Sequence, residues 1–340
     1  RIYDNTTVVN GSDLVVTTGV GSEIITLSGQ GSVVNANVGN SKSVTQDTLS
    51  LVSASGSASN YSMGTISLNI TQRPVNISLE KIYDGTLDAP ATGLITNGIT
   101  NTVGGQTLTI SGIGQMQTPG AGVGKTISSN GSLTLGNGSG AASNYTISGG
   151  THIIKVTPRT TVASGTRFYD GTTTAYGTNF NSFTNVVGSD TITVNGTGSF
   201  SSAGVGSKSV NIGSLSSGHP NYLLAGASIV ISKKPLNLFG VRTAGEKTST
   251  LEVQASELRM STAANETLTL SGTGSIIQES PGTIQTISLG TLSFSDGTGS
   301  ALNYTFSGAT FFMKINYKLT LPQRIRKVLK TGRSGKNLVL

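Results

Sequence analysis

Cysteine and tryptophan are absent from the 340 residues, histidine occurs only twice, aromatics make up 5% and charged residues 11%. Each shortage excludes something. Without cysteine there are no disulfide staples, no thiol nucleophile and no thiolate metal ligand. Ordinary soluble proteins carry about 25% charge, so this surface is built mainly from neutral polar groups. No run approaches the roughly 18 apolar residues of a membrane-crossing helix. No signal peptide is visible, and the sequence opens on Arg1 inside a repeating pattern, so it reads as a piece of a longer protein.

What is present is glycine, 46 residues of it, with abundant serine, threonine and asparagine around alternating valine, isoleucine and leucine. That composition suits many short β-strands joined by glycine-rich turns, and the expected fold class is all-β. The net charge of +7 is local. Residues 317–340 hold seven basic residues and no acid, so the remaining 15 basic residues balance 15 acidic ones. The high isoelectric point therefore gives the body no basic face for nucleic acid, and no nucleic-acid partner is expected.

The pattern repeats about every eighty residues. "EKIYDGT" at 80–86 has a close copy, "TRFYDGT", at 166–172, and "RIYDNT" opens the chain. An alternating strand then leads into Gly-x-Gly: "ITLSGQG" at 25–31, "LTISGIG" at 108–114, "ITVNGTG" at 192–198 and "LTLSGTG" at 268–274. Alternation puts Leu108 and Ile110 on one face and Thr107, Thr109 and Ser111 on the other, as in an antiparallel sheet over a core. Val-Gly-x-Lys follows with Lys42, Lys125 and Lys208, and each unit closes on Asn-Tyr: Asn60-Tyr61, Asn144-Tyr145, Asn221-Tyr222 and Asn303-Tyr304. A strand into a basic residue and proline marks the junctions, at Arg73-Pro74 and Lys234-Pro235, with Thr157-Pro158-Arg159 as a variant. The units are then 1–73, 74–157, 158–234 and 235–316, followed by a basic tail, 317–340.

A motif that returns at fixed spacing points to a structural unit rather than to one active site. Tyr3-Asp4, Tyr83-Asp84-Gly85 and Tyr169-Asp170-Gly171 read as strand-end turns. Glycine takes positive φ, aspartate bonds nearby amides, and tyrosine buries its ring. Asn5 in place of glycine fits, because asparagine tolerates the left-handed region. A calcium site on Asp84 and Asp170 would need six to eight oxygens, and the units are poor in acids, so no metal or cofactor is expected. The closing tyrosines read as plugs at a corner of the sheets.

"GAGVGKT" at 120–126 is one residue short of phosphate-loop spacing and its counterparts do not share it. His152 and His219 stand in non-equivalent columns, no carboxylate pair recurs, and no catalytic residue is assigned. An internal Lys–Asn isopeptide bond lacks a matching acid column. Asn-x-Ser/Thr sequons at Asn60, Asn69, Asn76, Asn144, Asn195 and Asn303 are candidate glycosylation positions.

The order of these motifs over residues 1–316 resembles the YDG repeats of large bacterial surface proteins, filamentous-haemagglutinin-like exoproteins and other adhesins of Gram-negative bacteria. The fourth unit is degenerate and carries Ala244-Gly245-Glu246 where the second has Tyr83-Asp84-Gly85. The resemblance implies a secreted, cell-surface stalk whose partners are neighbouring repeats of the same chain. The expected architecture is a tandem array of four small β-sandwich domains, immunoglobulin-like or β-grasp-like, about 120 Å long if laid end to end. A rival expectation is a multivalent module for host glycans or matrix, which needs aromatics exposed in one column. In the tail, Pro322, Ile325, Val328 and Leu329 have the spacing of a short basic helix suited to an anionic surface or an outer-membrane transporter partner.

Overall fold

The computed structural model describes residues 1–245, 251–263 and 265–318. The helix expected after Pro322, and Glu246, lie outside the described residues. Among those residues the regular elements are β-strands and three-residue 3-10 turns. The chain divides into two compact units. One comprises Arg1–Thr160 with Val186–Asp190 and His219–Leu223, and the other comprises Thr161–Asn185, Thr191–Gly218 and the chain from Leu224 onward.

In the first unit the second repeat shows the pattern most fully. Its main sheet runs Leu94–Thr100, Asn76–Ile82, His152–Thr157, Gly122–Ser129, Ile113–Met116, Asp88–Pro90. The opening strand, Asn76–Ile82, and the closing strand, His152–Thr157, lie side by side and parallel, with His152 opposite Ile77 and Thr157 opposite Ile82. The sheet is thus mixed, since this pair is parallel and its other pairs are antiparallel. Alternation reports which face a residue is on, not strand direction. A parallel pair needs a long connection, supplied here by the whole body of the repeat. Ile77, Leu79, Ile154 and Val156 are buried on one face, each contributing about 1.5–3 kcal/mol. Glu80 and Lys155, opposite each other on the other face, pair at 3.0 Å.

A two-stranded antiparallel ribbon, Leu108–Ser111 with Thr134–Asn137, carries Leu108 buried and Ile110 half-buried, as the alternation predicts. The first glycine of Gly-x-Gly, Gly112, has φ +91°, and a Cβ there would meet the Ser132 carbonyl oxygen at 2.1 Å, so only glycine fits.

The first repeat has a four-stranded sheet, Val8–Asn10, Gln30–Val33, Gly39–Thr45, Ser67–Ile70. Its parallel pairing is a single bridge, Ile2 to Thr71. The closing strand Ser67–Ile70 continues through Arg73-Pro74 into the opening strand Asn76–Ile82, so adjacent repeats share one extended segment. Arg73-Pro74 pairs with Tyr145-Thr146. Proline, which has no N–H, therefore occupies this short pair rather than the ladders on either side.

The third and fourth repeats show the same order: Phe180–Phe183, Arg159–Phe168, Tyr222–Ser232, Gly206–Val210, and then Leu258–Met260, Leu238–Thr243, Phe311–Asn316, Ile284–Thr286. Leu238–Thr243 and Phe311–Asn316 are again parallel, and Lys234-Pro235 pairs with Tyr304-Thr305. Leu236, Leu238, Met313 and Ile315 are fully buried.

Candidate functional site

The Tyr-Asp-Gly turn is held by its own neighbours. The Asp84 carboxylate accepts from the Thr86 amide and hydroxyl, both at 2.9 Å, and from Lys81 at 2.8 Å. Asp170 accepts from Thr172 and Arg167 in the same way. Asp4 accepts from Thr6 and pairs with Arg1. The basic residue two positions before tyrosine and the threonine two after aspartate therefore belong to the motif. Burial raises the Asp84 pKa, but the bonds from Lys81 and Thr86 outweigh it and hold the carboxyl below its ordinary value. Gly85 and Gly171 have φ +77° and +81°, and Asn5 has +60°. In the fourth repeat Arg242 stands in the Lys81 column and instead meets Glu257 and Glu279 at 2.8 and 2.7 Å.

The tyrosines go elsewhere, into joints that couple one repeat to the next. Tyr3 meets Tyr145 edge to face at 5.4 Å between ring centroids, Tyr83 meets Tyr222 at 5.7 Å, and Tyr169 meets Tyr304 at 5.5 Å. In each pair one tyrosine comes from a Tyr-Asp turn and the other from the Asn-Tyr closure of the following repeat. All six rings are buried. Such pairs contribute about 0.5–1.5 kcal/mol beyond the area they bury.

A polar side chain then binds both hydroxyls. Tyr83 and Tyr222 donate to the same Asp190 oxygen, at 2.9 and 2.7 Å. Tyr169 and Tyr304 donate to the two oxygens of Glu266. Gln106 accepts from Tyr145 at 2.6 Å and donates to Tyr3 at 3.2 Å. The acceptor ends a tight turn whose first residue sends its amide to the closing tyrosine: Val103 to Tyr145, Val187 to Tyr222, Ala263 to Tyr304. Val186–Asp190 and His219–Leu223, the two segments of the third repeat that carry Asp190 and Tyr222, accordingly belong to the first compact unit with Tyr83.

Burial, followed by the bond to Glu266, pushes the Tyr169 hydroxyl up to about 12 and raises Tyr304 as well. Burial and Asp190 raise Tyr83 and Tyr222, while the Tyr222 and Tyr83 hydroxyls hold Asp190 below its ordinary value.

The asparagine of each closure completes the joint. Asn144 Oδ1 accepts the Val38 amide at 2.9 Å, Asn221 the Ala121 amide at 2.7 Å, and Asn303 the Val205 amide at 3.1 Å. Each of these amides lies beside the Gly-Lys segment of the preceding repeat. Asn144 and Asn303 are buried, which removes these two sequons from the folded surface, whereas Asn60, Asn69 and Asn195 are exposed. The Lys42, Lys125 and Lys208 ammonium groups bond to Asn35, Thr118 and Ser202 in their own repeats. Residues 120–126 run into a β-strand rather than a helix.

The fourth closing tyrosine, Tyr61, has different surroundings. Tyr61 does not plug a corner as its three counterparts do. It is partly exposed, no tyrosine among the described residues pairs with its ring, and its hydroxyl donates to Glu23 at 2.5 Å. That bond raises the Tyr61 pKa. Glu23 is the fourth member of the acceptor column, ending a turn that starts at Val20. The sequence carried this signal in Val20-Gly-Ser-Glu23, Val103-Gly-Gly-Gln106 and Val187-Gly-Ser-Asp190, with Ala263-Ala-Asn-Glu266 as the fourth. It is obscured because Glu, Gln and Asp alternate at the last position.

Turn, tyrosine pair and acceptor together define a β-repeat protein whose signature residues are used at the joints. The chain belongs to the YDG domain family, whose model matches residues 1–68, 67–152 and 154–229. No curated protein matches the chain.

Proposed function

We propose that this chain is a structural spacer in a secreted bacterial surface adhesin, holding an adhesive region away from the cell. We read it as four small β-sandwich domains in series, β-grasp-like in the parallel pairing of first and last strands that the second and fourth repeats show. One observation carries the reading. The tyrosines of the three Tyr-Asp turns and of three of the four closures are buried in joints between consecutive repeats. Residues spent on joints make a repeat extendable, since each added copy brings the same interface. A multivalent glycan- or matrix-binding surface would need the same rings exposed, and Tyr83, Tyr145, Tyr169 and Tyr222 are not.

The test is small-angle scattering on the purified chain. A maximum dimension near about 120 Å, insensitive to salt, is the expected result. A compact particle would sink the spacer reading and favour the binding module, with neighbouring repeats folded into a shared cleft. A screen for glycan and matrix binding on the same sample is expected to show none.

A further inference from the structure

The fourth repeat departs from the second on one exposed face of its main sheet. One row across that face pairs Arg259 with Phe239, Phe239 with Phe312 and Phe312 with Thr286. The next row pairs Val241 with Lys314 and Lys314 with Ile284. Paired residues share a face, and the alternate residues Leu238, Met313 and Ile315 are buried on the other. The Phe239 and Phe312 rings meet at 5.1 Å between centroids. Val241 and Ile284 are 50% and 66% exposed, and Arg259 and Lys314 are exposed beside them.

The second repeat carries Ser78, Ile153, Glu80 and Lys155 at the positions of Phe239, Phe312, Val241 and Lys314. There Lys155 pairs with Glu80 at 3.0 Å. Ile153 and Lys155 are exposed in that repeat, which has a repeat on either side of it in the sequence, so the face is an outer one. The fourth repeat thus places an aromatic pair where the fold requires none, and replaces the acid with valine. Its four main strands contain no Asp or Glu, and neither Arg259 nor Lys314 makes an ion pair among the described residues. The sequence that follows the last strand, residues 317–340, adds seven basic residues and no acid. Exposed apolar side chains beside cations that lack a local counter-charge suit a surface that is anionic outside and apolar beneath.

We propose that this face of the fourth repeat binds the surface of an anionic lipid bilayer. Phe239, Phe312, Val241 and Ile284 enter the boundary between headgroups and acyl chains. Arg259 and Lys314 have long side chains that keep their charge at the headgroup level, where lipid phosphates pair with them. An extended peptide fits this face less well. The strands of Phe239 and Phe312 are each paired on both sides, so no free backbone ladder is on offer there. The site stands whether or not the chain serves as a spacer.

The test is co-flotation of the full chain with vesicles of phosphatidylcholine, alone or mixed with an equal part of phosphatidylglycerol. The chain is expected to float with the anionic vesicles, at least tenfold less with the neutral ones, and less as salt is added. Two variants place second-repeat residues on the face: Phe239→Ser with Phe312→Ile, and Val241→Glu, which gives Lys314 the partner that Lys155 has. Each is expected to melt with the parent and to partition at least tenfold more weakly, roughly a 1.4 kcal/mol effect. A readout that needs no variant is lysine acetylation, which anionic vesicles are expected to slow at least tenfold at Lys314 and to leave unchanged at Lys155. Variants that fold and float like the parent would show that the basic tail alone holds the vesicle, and would overturn the proposal. So would unchanged labelling of Lys314, or a chain that ignores vesicles but binds polyglutamate, which would make an acidic polypeptide the partner.

Discussion

Tyr61 and Tyr145 occupy the same column of two adjacent repeats, each preceded by Ala-Ser-Asn, yet they live in different environments. Tyr145 is 2% exposed, packs on Tyr3, binds Gln106 and receives the Val103 amide. Tyr61 is partly exposed and keeps only Glu23. The closing sequence is the same, and the ring of Tyr3 packs on Tyr145 whereas no tyrosine among the described residues packs on Tyr61. A motif residue in a tandem array thus takes its energetic weight from the repeat beside it, and what the closing tyrosine stabilises is the joint.

The largest effect expected from this contrast is in the tyrosines themselves. Tyr145→Ala should cost about 3–5 kcal/mol, since it removes a buried aromatic and strands Gln106 and the Val103 amide. Tyr61→Ala should cost under about 1 kcal/mol. Urea unfolding of the two variants decides it, and equal penalties would erase the distinction.

Next come the asparagines. Asn144→Ala leaves the Val38 amide without its partner and should cost about 1–3 kcal/mol, against about 0.5 or less for exposed Asn60→Ala. Gly85→Ala should cost more than Gly171→Ala. Both positions have positive φ, but a Cβ at Gly85 would come within 2.9 Å of Val187, whereas at Gly171 it would stand 3.5 Å from Ala263. The shared strain is about 1–2 kcal/mol, and the difference between the two variants is read from their unfolding midpoints.

The smallest effects separate the closed joints by their acceptor. Tyr169 has a folded pKa raised from 10.0 to about 12. Its contribution is present in full below pH 10 and is lost as the pH rises through about 12. Glu266→Gln should narrow that alkaline window in an ultraviolet tyrosine titration. Asp190 is depressed. Its contribution is present above the ordinary carboxylate range and is lost as the pH falls through the folded value, so Asp190→Asn and the parent should converge in stability in acid. The Gln106 joint has no carboxylate and should show no acid limb of its own.

The β class, the eighty-residue period and the turn character of Tyr-Asp-Gly were legible because they rest on local facts. These are period-two alternation around Leu108, positive φ at Gly85, and the Asp84–Thr86 bonds two residues apart. What stayed hidden is non-local. Tyr83 meets Asp190 across 107 residues and Tyr169 meets Glu266 across 97, and nothing in either local stretch names its partner. The bonds of Lys81 and Arg167 are local, with the threonine and aspartate that hold each of them in the same six residues. The parallel pairing of opening and closing strands was invisible for the reason given above, that alternation carries no direction.

That pairing has a mechanical consequence. The chain enters the second repeat at the start of Asn76–Ile82 and leaves it at the end of His152–Thr157, and parallel neighbours place those two points at opposite ends of the pair. Tension applied along the chain therefore slides one strand past the other. The six facing positions from Ile77–His152 to Ile82–Thr157 are loaded together rather than unzipped one at a time. The direction in which such a repeat is pulled is the direction in which its backbone ladder shares the load.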